Sequence, residues 1–159
     1  MTTAFRAISV IAVLGMSGLV AACSTDVEEP VSVSIEKTTF ASSLGVNLAA
    51  STRTANGVYY RDITVGSGPV VANGQQITVR YTGWLSNGTQ FDSNTTTGFP
   101  FVLGIGRVIA GWDEGLQGIR VGGKRQLIIP PSMGYGSSGN GPIPGNAVIV
   151  FNVEVVSSP

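Results

Sequence analysis

The segment between Tyr81 and Phe151 constrains the fold most, because aromatic and branched apolar residues recur along it among many glycines and few charges. Aromatic side chains dominate the burial of apolar area, and glycine-rich turns keep the intervening strands short. This distribution predicts short strands whose rings converge on one apolar cavity. The residues that punctuate the segment are Tyr81, Phe91, Phe99, Phe101, Val108, Ile109, Trp112, Tyr135 and Phe151.

The composition restricts the size of the fold and the chemistry it can support. With 159 residues, 43% of them hydrophobic, the chain is predicted to form one globular domain with short appendages. Nine Lys and Arg balance nine Asp and Glu, so charge gives no reason to expect a nucleic-acid partner. The chain has no His, which excludes Ser-His and Cys-His catalytic pairs and imidazole metal sites. We expect neither a metal nor a cofactor.

The first 22 residues are typical of a secretory signal. Arg6 is their only charge, and an uncharged run over 7–22 ends in small residues before Cys23. A transmembrane helix is the alternative, but the run is shorter than the roughly 20 residues that span a bilayer. Val20 to Cys23 resembles a bacterial lipobox, which implies cleavage before Cys23 and its lipidation. An unmodified cysteine beside an ordinary cleavage site is the other interpretation.

The lipobox implies that the mature protein crosses the inner membrane and stays lipid-anchored. Ser24 after the cysteine is similar to proteobacterial lipoproteins of the outer membrane that face the periplasm. Residues 23–50 are predicted to be a lipidated cysteine and a flexible spacer, because charged and small polar residues there show no clear periodicity. The run over 40–50 is apolar enough to pack on the domain, and the sequence leaves that question open. The domain itself is assigned to residues 51–159.

Within the domain, apolar and polar residues alternate over 76–85, and aromatic and β-branched residues dominate 58–65, so both segments are predicted strands. Further strands are predicted over 99–103, 124–129 and 147–156. Asn87 and Gly88 indicate a hairpin turn over 86–89. The only segment typical of a helix is 108–117. Because a sheet must cover its apolar face, these elements predict an α+β fold in which a strongly curved antiparallel sheet wraps around one short helix.

Three short motifs in the sequence are misleading. Residues 134–139 match the dinucleotide-binding pattern GxGxxG, but prolines and then a strand follow where that site needs a helix. Asn87 and Asn94 begin glycosylation sequons, which we interpret as turn residues in a bacterial protein. Asp113 and Glu114 are adjacent in the predicted helix, so their side chains point in different directions, and acids early in a helix suit its dipole.

A dispersed series of segments is more specific than these motifs. The segments are Tyr81-Thr-Gly-Trp84, Phe91-Asp92-Ser93, Val108 to Leu116, Tyr135-Gly136, Ile143 to Ala147 and Phe151 to Glu154. In this order and spacing they resemble the FKBP family of peptidyl-prolyl cis-trans isomerases, over about 57–156. The resemblance implies a half-barrel wrapped on a short helix, with Trp112 at the floor of the pocket. It implies that the walls of the pocket are Tyr81, Phe91, Phe99, Val108, Ile109 and Phe151. It implies that Asp92 and Tyr135 form its polar rim.

The same resemblance implies an enzyme that isomerises X-Pro bonds without covalent chemistry. Its catalytic groups are the Ile109 backbone N–H and the Tyr135 hydroxyl, which hold peptide carbonyls, and Asp92 beside the rotating carbonyl. The implied partners are proline-containing polypeptides of the envelope and the macrolides tacrolimus and rapamycin, and we expect a monomer. Arg107 on the lip of the pocket and Ala110 depart from the commoner family pattern.

Two alternatives accompany this interpretation. Each ring taken singly, Trp112 included, is more typical of ordinary core packing than of a binding site. The second functional hypothesis is a non-catalytic proline-peptide binding module or holdase chaperone. Family members with strong chaperone activity carry an extra domain near the tyrosine loop, and residues 136–147 are too few to form one.

Overall fold

Six antiparallel strands form one sheet in the computed structural model, which describes residues 33–158. The strands lie side by side in the order β1-β2-β5-β6-β3-β4. This confirms the predicted α+β class, with a curved sheet around a short helix. The elements are β1 (Thr52–Arg53), β2 (Tyr59–Thr64), β3 (Gln76–Leu85), β4 (Gln90–Val102), α1 (Ala110–Gly115), β5 (Lys124–Ile129) and β6 (Ile149–Ser157).

Four short 3-10 turns accompany these elements, at Ile35–Lys37, Ser42–Leu44, Leu48–Ala50 and Pro131–Met133. Among the described residues, no helix is long and apolar enough to cross a membrane. The predicted signal segment over 1–22 and Cys23 lie outside those residues.

Strands β3 and β5 have the predicted bounds, whereas β4 begins at Gln90 rather than at Phe99. The added part, 90–98, is polar and lacks the alternation by which strands are recognised. Local hydrogen bonds shape it instead: the Asn94 side chain accepts from the Gly98 N–H at 3.0 Å and donates to the Gly98 carbonyl at 3.2 Å. Register shifts in the β3–β4 pairing absorb the extra residues.

The hairpin turn between β3 and β4 lies where the sequence predicts it. Gly88 adopts a positive φ of +90° there, whereas Asn87 does not. The Asn87 side chain accepts a hydrogen bond from the Thr89 N–H at 2.9 Å. Asn87 and Asn94 are therefore both residues that shape the local backbone, as the sequence indicates.

Helix α1 is shorter than the predicted 108–117, because Ile109 is its extended N-cap residue and the helix ends at Gly115. Gly111 and Gly115 are one turn apart and face the sheet. A Cβ atom would lie 2.5 Å from the Ile129 side chain at position 111 and 2.8 Å from the Leu127 side chain at position 115. The two glycines therefore allow the helix backbone to approach strand β5 closely.

The buried Arg125 side chain holds the carboxyl end of helix α1. Its guanidinium donates to the carbonyls of Gly115 and Gln117, both at 2.9 Å, and pairs with Asp62 at 2.7 Å. It also lies over the Tyr60 ring, 4.5 Å from the ring centre. A cation at this end satisfies helix carbonyls that have no partner within the helix.

The main core fills the space between the concave face of the sheet and the helix. Its strand residues alternate with outward-facing neighbours, as expected for a sheet with one face on a core. Trp112 and Leu116 supply the helix side of this core. The buried strand residues are Ile77, Val79, Phe101, Leu127, Ile129, Ile149, Phe151, Val153 and Val155.

Residues 33–50, here called the amino-terminal strap, pack on the opposite face of the sheet. Ile35 is 3% exposed and forms a second apolar cluster with Tyr59, Ile128, Val148 and Val150. Further apolar residues of the strap border this cluster: Val33, Phe40, Leu44, Val46 and Leu48. The prediction of a flexible spacer over 23–50 is therefore wrong for 33–50, and the question about 40–50 is answered.

Hydrogen bonds reinforce the strap. The Gln126 side chain donates to the Leu44 carbonyl at 2.8 Å, and Arg61 donates to the Gly45 carbonyl at 2.9 Å. Hydrogen bonds from Ser34 and Tyr59 lower the pKa of Glu36 to about 2. The strap winds through 3-10 turns with single apolar anchors, so its sequence has neither helical nor strand periodicity.

We expect Ile35→Ala to lower the free energy of unfolding by about 2–5 kcal/mol, because it removes a buried apolar side chain and leaves a cavity. Urea denaturation of both proteins measures the change. Ile63→Ala is the matched control, since Ile63 is 45% exposed, and it should cost less than about 1 kcal/mol. Equal effects of the two substitutions would contradict the packing of the strap.

Candidate active site

A cavity of roughly 410 Å³ opens on helix α1 and the strands beside it. It brings together every residue that the sequence predicts for the site except Phe91, and it adds Arg107. The lining residues are Tyr81, Asp92, Phe99, Arg107, Val108, Ile109, Trp112, Tyr135 and Phe151.

Trp112 forms the floor of this cavity. Its indole is 4% exposed and lies among four rings, of which Tyr81 and Phe151 are nearest, with ring centroids at 5.0 and 5.2 Å. Both contacts are edge-to-face, the geometry that aromatic quadrupoles favour. Trp112 therefore belongs both to the core and to the site, which the sequence analysis gave as alternative roles.

The indole N–H of Trp112 is buried and has no hydrogen-bond acceptor within residues 33–158. An unpaired buried donor costs roughly 1–3 kcal/mol of stability. The packing of the surrounding rings offsets this cost. The floor of the cavity is therefore an apolar surface.

Phe91 is not among the residues that line this cavity, and its role as a wall residue stays a prediction. Its ring packs edge-to-face on Phe151 with the centroids 5.4 Å apart. Both rings also crowd Gly83, where a Cβ atom would lie 2.8 Å from Phe91 and 2.5 Å from Phe151. Phe91 thus supports a wall that Phe151 forms, a distinction that strand alternation cannot provide.

Tyr81 and Asp92 form the one hydrogen-bonded pair among the lining side chains. The Tyr81 hydroxyl donates to the Asp92 carboxylate at 2.8 Å. Burial, and then this hydrogen bond and the charge of Asp92, raise the pKa of Tyr81 to about 12. Tyr81 is therefore protonated at neutral pH and fixes the position of the carboxylate.

Two further donors at the cavity have no acceptor within the described part of the chain, namely the Tyr135 hydroxyl and the Ile109 backbone N–H. Burial, and then the charge of Asp92, raise the pKa of Tyr135, so its hydroxyl keeps its proton at neutral pH. Ile109 is outside the first turn of helix α1, and its carbonyl accepts from the Trp112 N–H at 2.9 Å. The site thus offers two donors to a bound molecule.

Asp113 and Glu114, the adjacent acids of the helix, both serve local structure. Asp113 accepts from the backbone N–H groups of Gly104 and Gly106, at 2.7 and 2.8 Å, and so fixes the loop before Val108. Glu114 accepts from the Asn56 side chain at 2.8 Å. Their carboxylates have separate partners, which agrees with the interpretation that rejects paired acid–base chemistry.

No other cluster in residues 33–158 indicates different chemistry. Within that range, no group of three or more His, Cys, Asp or Glu side chains is placed to hold a metal ion. Residues 134–139, which match GxGxxG, form turns and not the start of a helix. Arg107, whose charge the resemblance places on the lip of the pocket, also lines the cavity.

Comparisons with known proteins agree with this geometry. The family model described as FKBP-type peptidyl-prolyl cis-trans isomerase matches residues 68–156. The FK506-binding protein of Neisseria meningitidis serogroup B is 48% identical over 103 residues, which cover 63% of this chain and 94% of that protein. FK506-binding protein 4 of Dictyostelium discoideum is 50% identical over 103 residues, which cover 64% of this chain but 28% of that longer protein.

Solved structures give the same result. The peptidyl-prolyl cis-trans isomerase of Pseudomonas syringae pv. tomato superposes with a TM-score of 0.63 at 33% identity, covering 69% of this chain and 80% of that chain. FkpA from Escherichia coli superposes with a TM-score of 0.61 at 36% identity, covering 69% of this chain and 51% of that chain. The sheet and the helix that carry the cavity are therefore shared.

We expect Trp112→Phe to change the free energy of unfolding by only about 1 kcal/mol, because loss of the unpaired N–H offsets part of the lost packing. Trp112→Ala should cost about 3–5 kcal/mol, since it leaves a cavity in the core. Urea denaturation followed by circular dichroism measures both values. If the two substitutions were equally costly, the indole N–H would not be an unpaired donor.

Proposed function

Because this chain belongs to the FKBP-type peptidyl-prolyl cis-trans isomerase family, we propose that its ring-lined cavity accelerates rotation about X-Pro bonds in proteins of the bacterial envelope. The observation that carries this proposal is an apolar cavity with few polar groups, which matches the chemistry of a proline ring. The proline ring is apolar, and its nitrogen has no proton that needs a partner.

The reaction requires no covalent step. The partial double bond of the peptide sets a rotation barrier of ~18–20 kcal/mol. At the twisted transition state the amide loses resonance, and its carbonyl oxygen carries less negative charge than in the planar state. A dry cavity therefore disfavours the planar amide more than the twisted one, which lowers the barrier.

The polar groups have distinct roles in the proposed complex. The proline ring lies on Trp112, while the Ile109 N–H and the Tyr135 hydroxyl donate to carbonyls of the peptide. Asp92, held by Tyr81, faces the carbonyl that rotates. Its negative charge repels the planar carbonyl oxygen more than the twisted one, so it acts on the difference between the two states. A thousandfold acceleration needs about 4 kcal/mol from these effects together.

We expect Asp92→Leu to lower kcat/KM by roughly 10- to 100-fold, because it removes a charged group that acts on the rotating carbonyl. Tyr135→Phe should lower it by about 2- to 10-fold, the value of one neutral hydrogen bond. Isomerisation of an Ala-Leu-Pro-Phe peptide measures both effects. Tyr60→Phe is the control for Tyr135→Phe, since it removes a hydroxyl that does not line the cavity.

Two outcomes of this experiment argue against the proposal. Equal rates for the parent, Asp92→Leu and Tyr135→Phe would mean that the polar groups are misassigned. Suppression of protein aggregation without any acceleration of the peptide would favour the holdase alternative. Rapamycin provides an independent check, because a macrolide that occupies the same cavity should compete with the peptide.

The envelope location rests on the amino-terminal sequence and is part of the proposal. We infer that Cys23 becomes the lipidated first residue and that the isomerase domain remains at the outer membrane, facing the periplasm. Because the strap packs from residue 33 onward, only 24–32 separate the anchor from the domain. Fully extended, these residues reach at most about 35 Å. The enzyme would therefore act on polypeptides close to the membrane surface.

We expect Cys23→Ser to abolish lipid labelling of the protein, because the acyl chains are attached through the cysteine that the substitution removes. Fractionation of cells and labelling with radioactive palmitate measure the change. Ser24→Ala is the control, since it retains the cysteine and should remain labelled and membrane-bound. A parent protein that incorporates no palmitate, or a Cys23→Ser protein that incorporates as much as the parent, would refute the lipid anchor while leaving the isomerase assignment intact.

A further inference from the structure

A second cavity adjoins the proposed proline site. It measures roughly 420 Å³ and shares two lining residues, Phe99 and Arg107, with the cavity above Trp112. We call the second cavity the side groove and the two shared residues the lip. The lining residues of the side groove are Gln76, Phe99, Pro100, Phe101, Val102, Ile105 and Arg107. A polypeptide that leaves the proline site across the lip enters this groove.

Two apolar side chains of the side groove are exposed to solvent and are not part of the buried core. Phe99 is 38% exposed and Ile105 is 55% exposed. Ile105 lies between Gly104 and Gly106, whose N–H groups are both bound to the Asp113 carboxylate. The same carboxylate therefore positions this exposed residue and the loop that leads to Ile109.

Arg107 gives the lip a positive charge. It is exposed, and it is the only cation among the residues that line the two cavities. The ion pairs within residues 33–158 are Arg53 with Glu36 and Arg125 with Asp62, so Arg107 is in neither. Asp92, the acid among the residues that line the proline site, is already hydrogen-bonded to Tyr81. A guanidinium in this position is available to an acidic group on a ligand.

We propose that the side groove binds the part of the client that follows the proline, and that Arg107 favours an acidic side chain there. This inference rests on the proposed isomerase function. In the proposed complex, the carbonyl before the proline faces Asp92, so the proline's own carbonyl is the partner of the Ile109 N–H. Arg107 is two residues from Ile109 and lines both cavities, so residues after the proline that continue over the lip enter the side groove. The preference is thus for Glu or Asp shortly after the proline.

The test compares peptides that differ only in charge. Ala-Leu-Pro-Phe-Glu and Ala-Leu-Pro-Phe-Gln are assayed with the purified full chain in neutral detergent, by NMR exchange at low ionic strength. We expect kcat/KM to be roughly two- to fivefold higher for the Glu peptide, mostly through KM, as for an exposed ion pair. At 1 M salt the ratio should approach one, because the charges are screened.

Variants of Arg107 identify the source of the preference. Arg107→Gln should reduce the ratio of kcat/KM values to about one, and Arg107→Glu should reverse it. Arg80→Gln is the matched control, because Arg80 is exposed on strand β3 and lines neither cavity. This control should keep the ratio of the parent protein.

Three results would overturn the inference while leaving the isomerase function in place. One is equal acceleration of the Glu and Gln peptides, and another is a preference that survives Arg107→Gln. The third is a preference for Glu before the proline, in Glu-Ala-Leu-Pro-Phe against Gln-Ala-Leu-Pro-Phe, but not after it. Failure to accelerate any of these peptides would instead refute the proposed function itself.

Discussion

The close contact between helix α1 and strand β5 determines the geometry of the site. A helix of six residues with two glycines is intrinsically weak, so tertiary contacts must hold it. Gly111 and Gly115 let it lie directly on Ile129 and Leu127, and Arg125 binds its carboxyl end. This depth of packing decides how far Trp112 reaches under the rings of the sheet. A larger residue at position 111 or 115 would lift the floor of the cavity.

Several charged residues around the site have structural partners. Asp113 fixes the loop before Ile109, Arg125 fixes the end of the helix, and Asp92 is itself held by Tyr81. The cavity can therefore remain apolar while its shape is maintained by polar contacts at its edges. Such an arrangement suits a reaction whose barrier is lowered by a dry, rigid environment and not by proton transfer. The strap reinforces the sheet from the other face, which adds rigidity without contact with the site.

Particular residues show which parts of the structure could be predicted from the sequence and which could not. Strand β3 was predictable, because alternation is a local property that burial on one face imposes. Strand β5 has the predicted bounds although five of its six residues are buried, so it does not alternate. The beginning of β4, the strap and the position of Phe91 were not predictable. Hydrogen bonds of Asn94 hold the beginning of β4. Single apolar anchors hold the strap on a distant surface, and the crowding of two rings at Gly83 fixes the position of Phe91. The strap and Phe91 depend on contacts between residues far apart in the chain, whereas the Asn94 hydrogen bonds are local. None of these contacts leaves a periodic signal in the sequence.

The sequence alone determined the fold class and nearly all the residues of the site, because their order and spacing follow a family pattern and their alternation follows the sheet. It also contained the charge of Arg107 and the lipobox-like segment before Cys23. Only the tertiary structure decided that Trp112 is both buried core and cavity floor, and that Phe91 supports a wall. It also decided that Arg107 stands between two cavities. These properties depend on which surfaces pack together when the sheet curves around the helix. Such contacts join residues distant in the chain, so no short stretch of sequence determines them.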